Sequence, residues 1–198
     1  DPDADIRLGL ERTPVLPLPM FVMYHKPSGV QSTMRDEWGR PCLDTVLPEQ
    51  WRGKLHPVGR LDAETTGLLL FCKDGTLTQR LLHPRHEMER EYIARVEKKI
   101  LDPEVLTARL RDGVETSEGI VTGEVVSIDE DTIQLIVKEG KYRMVRRMLA
   151  NAGHPVEALH RVRYGAFELG ELGEREPSRE TPPLDSRLGD LRQLPGHL

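Results

Sequence analysis

Arg60 and Asp62 stand two residues apart in GRLDAETTGLLLFCKDG (59–75), just before Leu68-Leu69-Leu70-Phe71-Cys72, a run apolar enough to be buried on both faces. Charges at the margin of a hydrophobic core are costly unless each has a partner. Burial raises a carboxyl pKa, and an adjacent guanidinium favours its charged form and fixes its orientation. The plainer reading is a loop carboxylate paired with Arg60 for structure. A second candidate is KYRMVRRMLANAG (141–153). At about 100° per residue, Met144, Val145, Met148, Leu149 and Ala152 fall in one arc, and Arg143, Arg146 and Arg147 in the opposite one. Amphipathicity alone makes this a surface helix with a solvated basic side. Lys141, Arg143, Arg146 and Arg147, however, crowd its N-terminal half, where the helix dipole makes each cation unfavourable by about 0.3–1 kcal/mol. A phosphodiester or a nearby carboxylate would relieve that repulsion. Arg161 and Arg163 alternate with Val162 and Tyr164 on the next extended segment, so both can face one way and complete a two-element basic patch suited to phosphate.

Elements to position these groups are legible around them. MFVMYHKPSG reads as a strand ending in a Pro-Gly turn, RPCLDTVLP as one helical turn, and QWRGKLHPVGRLD as a loop. Leu68–Cys72 is a central strand bounded by the turn at 73–75. A helix follows over 76–82, with Asp74 as its cap and His83-Pro84 as its stop. EREYIARVE alternates as a half-buried strand, with Tyr92, Ala94 and Val96 on one face. The segment 102–112 is a helix with Pro103 at its first position and Gly113 beyond its end. GIVTGEVVSI and TIQLIVKEG read as two antiparallel strands about a DED turn. A helix over about 141–152 and strand material in ALHRVRYGAFEL complete the body. Many strands and few helices in mixed order indicate an α+β fold.

The chain has 198 residues, 31% of them charged and 37% hydrophobic, the composition of a soluble globular protein. No apolar stretch approaches the roughly 20 residues that span a bilayer, so no membrane partner is expected. The opening DPDADIRLGLE has neither the basic nor the hydrophobic region of a signal peptide, and it lacks an initiator Met, consistent with trimming upstream. Cys42 and Cys72 form no paired spacing and suit a reducing compartment as small buried hydrophobes, so a cytoplasmic location, or an organellar matrix, is expected. The net charge of −5 hides an asymmetry: positions 112–131 hold seven acids and no Lys or Arg, whereas 138–163 hold seven Lys or Arg against two Glu. An acidic chain can still present a basic face. His83, His86 and Glu87 suggest a metal, but Pro84 interrupts any helix that would align the histidines, so no metal site is expected.

Together, GRLDAETTGLLLF, LLHPRHEMEREYIARVE, EGKYRMVRRMLANAGHPVEALHRVRYG and the Lys26–Gly29 turn KPSG resemble a pseudouridine synthase, and more narrowly the ribosomal small-subunit pseudouridine synthase A family. The resemblance runs from about Met23 to Leu169. It implies a catalytic domain over 21–172, built on a largely antiparallel mixed sheet in two sub-lobes with a cleft between. Residues 1–20 would be a linker, or the end of a removed S4-like RNA-binding domain, and 173–198 a polar tail. It implies that Asp62 is the catalytic carboxylate, that Tyr92 stacks on the target base, that Arg146 pairs with Asp62, and that Leu159 is an apolar contact beside the site. Lys26, Arg60, Lys141, Arg143, Arg147, Arg161 and Arg163 are the expected RNA contacts. One departure is Met144, where the family often has Gln. Isomerising a uridine needs no redox cofactor or nucleotide energy source, so none is expected. The implied partner is ribosomal RNA or an assembling particle, acted on by a monomer. GKLHPVGRLD with TTGL, and EGKY, favour small-subunit over large-subunit rRNA. The rival from another class is a ribosome-associated RNA-binding module without catalysis.

Overall fold

The computed structural model describes residues 20–170, apart from 48, 50 and 51. The N-terminal linker (all but residue 20) and the polar tail (173–198) expected from sequence lie outside the described residues. Strand β1 (Phe21–Lys26) leads to a single helical turn, α1 (Leu43–Val46), and then to β2 (His56–Val58) and β3 (Thr66–Cys72). Helix α2 (Gly75–Leu82) starts at Asp74, whose carboxylate accepts from the amides of Thr76 and Leu77, and stops at His83 before a 3-10 turn at Pro84–His86. Such a cap satisfies amides that have no partner within the helix. Strand β4 (Arg90–Val96) is followed by α3 (Pro103–Asp112), the hairpin β5 (Val114–Thr116) and β6 (Gly119–Val121), then β7 (Glu124–Asp129) and β8 (Thr132–Val137). Helix α4 (Met144–Asn151), β9 (Val156–Tyr164) and β10 (Phe167–Glu168) close the described chain.

One mixed sheet runs in the order β1-β3-β9-β4-β8-β7, with β2 on β3 and β10 on β9. All its strand pairs are antiparallel except β3 with β9, which meet in parallel over just Thr66↔His160 and Gly67↔Arg161. The α+β reading and the largely antiparallel sheet are therefore what the chain adopts. The short parallel seam is where its two halves join.

The apolar run of β3 is buried on both sides because each side has its own cover. Leu69 and Phe71 pack with Tyr92, Ala94, Leu135, Leu159 and the inner faces of α3 and α4, whereas Leu68, Leu70 and Cys72 pack with Phe21, Leu81, Tyr164 and Phe167. Each fully buried Leu or Phe contributes about 1.5–3 kcal/mol. Tyr92, Ala94 and Val96 point inward as their alternation predicts. Cys42 and Cys72 are both buried and unpaired.

Three local expectations change. QWRGKLHPVGRLD is not all loop, since His56–Val58 pair with β3. GIVTGEVVSI is not one strand. It breaks at Thr122-Gly123, where the Gly123 amide donates to Leu110 and a side chain would meet Met148 at 3.0 Å, so the chain leaves the small hairpin to join the main sheet. Helix α4 is shorter than 141–152, beginning at Met144. Lys141 and Arg143 therefore precede the helix, and the N-terminal crowding of cations within it reduces to Arg146 and Arg147.

Candidate active site

The loop 59–65 enters the seam between the two halves, and its backbone is pinned from the β1 side. The Lys26 ammonium, fully buried, donates to the carbonyls of Ala63 (3.1 Å) and Pro27 (2.9 Å), and the Gly29 amide donates to the same Ala63 carbonyl at 2.8 Å. The Ser32 hydroxyl donates to the Leu61 carbonyl at 2.6 Å and accepts from the Leu61 amide at 3.0 Å. Within the loop, the Thr65 amide donates to the Asp62 carbonyl at 3.0 Å. The KPSG turn and the residues after it thus fix the backbone on which Asp62 sits.

The Asp62 side chain, 20% exposed, has its Oδ2 3.9 Å from Nη1 of Arg143 and 4.0 Å from Nε of Arg146. These cations come from the α4 end of the sequence and are not the neighbouring Arg60, so the plainer pairing of Asp62 with Arg60 does not form. Arg60 is exposed. Arg146 is held by two bonds, Nη1 to the Val156 carbonyl (3.1 Å) and Nη2 to the Thr65 hydroxyl (3.5 Å), while its buried Nε has no hydrogen-bond partner. Arg143 caps α4 in the left-handed region (φ 50) and donates to Glu64, which also lies 3.8 Å from Arg146. The anionic relief for the basic segment is therefore supplied within the protein, by Asp62 and Glu64.

Burial raises the Asp62 carboxyl above the usual range, and Glu64 adds to the rise, whereas Arg143, Arg146 and Lys26 pull it down. Burial wins, so the guanidinia moderate the shift without reversing it. Burial lowers Lys26 to about 8, against the attraction of Glu64 and Asp62. Burial likewise lowers Arg146, with Glu64 opposing. For Glu64, burial acts upward, but its backbone hydrogen bond and Arg143 outweigh it, and the group sits below the usual range. Leu61, Tyr92, Val145 and Leu159 belong to one apolar cluster, which places the expected stacking ring and apolar contact in the core that carries Asp62 and Arg146 on neighbouring residues.

Several expected RNA contacts are placed otherwise. Lys26 is an internal post, its ammonium donating to the Ala63 carbonyl of the loop and the Pro27 carbonyl of its own turn. Arg161 is also buried: Nε donates to the Leu68 carbonyl at 2.8 Å and the guanidinium lies 5.2 Å from the Tyr164 ring centre. A strand central to the sheet leaves no solvent at that position, so the Arg161–Arg163 patch does not form. Arg163 is bound to Glu91 (2.7 Å) and Glu89 (3.1 Å). Arg147 donates to Ser117 and Glu118 and stacks over the exposed Tyr142 ring at 5.0 Å. Lys141 pairs with Glu139 at 2.7 Å. Met144 is buried, as its arc predicts. Sequence reading passed over Glu64, although its spacing from Asp62 was the available signal. No cluster of His, Cys, Asp and Glu that could hold a metal occurs among the described residues, and no helix among them is long and apolar enough to cross a membrane.

The chain can be set beside known proteins. The family described as RNA pseudouridylate synthase matches residues 20–165, well over half of the chain. An uncharacterized RNA pseudouridine synthase of Mycobacterium tuberculosis (strain ATCC 25618 / H37Rv) is 38% identical over 184 residues, which are 89% of this chain and 70% of that protein. The ribosomal large subunit pseudouridine synthase B of Bacillus subtilis (strain 168) is 34% identical over 180 residues, covering 87% of this chain and 72% of its own. Among solved structures, a pseudouridylate synthase superposes with a TM-score of 0.69 at 28% identity, over 77% of this chain and 66% of that one.

Proposed function

We propose, from the premise that this chain belongs to the RNA pseudouridylate synthase family, that it converts a uridine of large-subunit ribosomal RNA to pseudouridine with Asp62 as the catalytic carboxylate. The names of its relatives support large-subunit rRNA, the alternative in the sequence reading, over the small-subunit target that the motifs favoured. The observation that carries the assignment of Asp62 is its position: half-buried, on a pinned loop, about 4 Å from two guanidinia contributed by a distant segment.

The reaction breaks the N-glycosidic bond, turns the uracil while it stays bound, and rejoins it through C5. Substrate and product are isomers, so the stoichiometry calls for no electron donor or acceptor. Attack on C1′ and removal of a ribose proton both begin from an ionised Asp62. Arg146 is built to secure that state. Two of its nitrogens are tied to Val156 and Thr65, and its Nε faces the carboxylate with a donor to spare. Closure by about 1 Å turns that approach into a charge-assisted hydrogen bond. Tyr92 supplies the ring on which a flipped base stacks. The exposed Arg60 and the part-exposed Arg143 are the cations left to meet the RNA backbone. The two buried, unpaired cysteines support a reducing compartment for the protein.

Tritium release from C5-labelled uridine in large- and small-subunit rRNA transcripts tests this under single-turnover conditions. The wild type releases tritium from the large-subunit transcript, and Asp62→Asn binds RNA but releases none. The wild-type rate falls as acid protonates Asp62, at a pH above the usual carboxylate range. Release from the small-subunit transcript alone would return the target to that subunit. Tight, salt-sensitive binding with no release from either would identify an RNA-binding module.

A further inference from the structure

Arg143 faces two carboxylates, and its direct hydrogen bond goes to the one that sequence reading passed over. Its Nη1 donates to Glu64 Oε1, whereas Asp62 Oδ2 is 3.9 Å away. Glu64 is the more open of the two, with a side chain 43% exposed against 20% for Asp62. If the guanidinium served Asp62 alone, this division would be counterproductive, because Glu64 takes the hydrogen bond and adds a like charge beside Asp62. The division makes sense if Glu64 marks a position that something else takes. Arg143 is aimed across the loop by a left-handed backbone, which a non-glycine residue seldom adopts. Its side chain is 34% exposed, so an anion from solvent can reach it. A phosphodiester presents the same paired acceptor oxygens to a guanidinium as a carboxylate does.

We propose that Glu64 is a placeholder for a backbone phosphate of the RNA: in the free enzyme it holds Arg143 beside Asp62, and the phosphate next to the target nucleotide displaces it. This rests on the reading that the substrate is RNA. Glu64 is then a positioning residue whose charge opposes binding and whose departure hands Arg143 to the substrate. The charged groups facing Asp62 are Glu64 on its own loop, Arg143 and Arg146 at the start of α4, and Lys26 at the end of β1.

The test compares Glu64→Gln and Glu64→Asp with the wild type, using a uridine-containing RNA stem–loop for affinity and tritium release against pH for rate. Removing a half-exposed competitor for an ion pair tightens binding of the stem–loop by about two- to five-fold at low salt. Glu64→Asp keeps the competing charge and stays within about two-fold of the wild type. The acid limb of the rate profile moves to lower pH in Glu64→Gln, because a neighbouring negative charge is gone and Arg143 is free to turn to Asp62. Binding by Glu64→Gln that is no tighter than wild type, or weaker, overturns the proposal and leaves Glu64 as a prop for Arg143. So does an acid limb that does not move. If the wild type releases no tritium from any RNA, the reading of the reaction fails, while the affinity comparison still decides whether Glu64 competes with phosphate.

Discussion

Gly67 sits at the parallel seam with φ +106, and a Cβ built on it would lie 2.2 Å from the carbonyl oxygen, 2.5 Å from the nitrogen and 2.9 Å from the carbonyl carbon of Arg161. All three are backbone atoms, so no side chain can swing aside, and Gly67→Ala requires β9 to move away from β3. The left-handed backbone itself costs about 1–2 kcal/mol for a residue with a Cβ. Parting the seam weakens its backbone hydrogen bonds, worth about 0.5–1.5 kcal/mol each, and the Arg161 bond to the Leu68 carbonyl, worth about 1.5–3 kcal/mol as a charged donor. The expected loss is therefore about 3–6 kcal/mol, a large share of the roughly 5–15 kcal/mol that keeps a domain folded. Gly153 is the control: its φ is +96, but nothing lies within 4 Å of its added Cβ, so Gly153→Ala carries the backbone cost alone. Urea unfolding distinguishes them, with the Gly67→Ala midpoint at least about 1 M below that of Gly153→Ala. Equal midpoints would refute the close approach at the seam. Because loop 59–65 runs straight into this seam, Gly67→Ala should also lower single-turnover tritium release by more than its folded fraction explains.

Two further outcomes follow from the pinned loop. Ser32→Ala removes both hydrogen bonds to Leu61 and leaves that backbone less satisfied, at a cost of about 1–3 kcal/mol in thermal or urea unfolding. It should slow tritium release more than it weakens RNA affinity, and an unchanged rate would show that Asp62 does not depend on this anchor. Burial lowers Lys26 to about 8 from its ordinary 10.5, so between those pH values the unfolded chain holds a proton that the native chain has shed. Stability due to this residue therefore rises with pH across about 8 to 10.5. The difference in unfolding free energy between wild type and Lys26→Met should grow in favour of the wild type over that window, and a flat difference would show that burial does not perturb the ammonium.

The sequence by itself determined the parts whose cause is local. The five apolar residues of 68–72 dictated a strand buried on both faces, Asp74 and His83-Pro84 set the ends of α2, and Pro103 with Gly113 set those of α3. The opposed arcs of 143–152 put Met144 inside and Arg146 toward the charged side, while four motifs together, that around Asp62 among them, indicated the family. Strand β2 was illegible because three residues that include Pro57 carry no alternation. The split at Thr122-Gly123 was hidden because contact with Met148, not a change in residue type, causes it. Tertiary structure alone decided which cations serve Asp62. Arg60 is near in sequence but exposed, whereas Arg143 and Arg146 are more than eighty residues away and arrive because α4 packs its apolar arc beneath the sheet. Lys26 and Arg161 look like surface cations in a string of letters and are buried in the fold. Local pattern reports which face of an element is apolar. Which charge lies opposite which, and whether water reaches it, depends on how distant elements pack, and that is fixed only when the sheet closes at its seam.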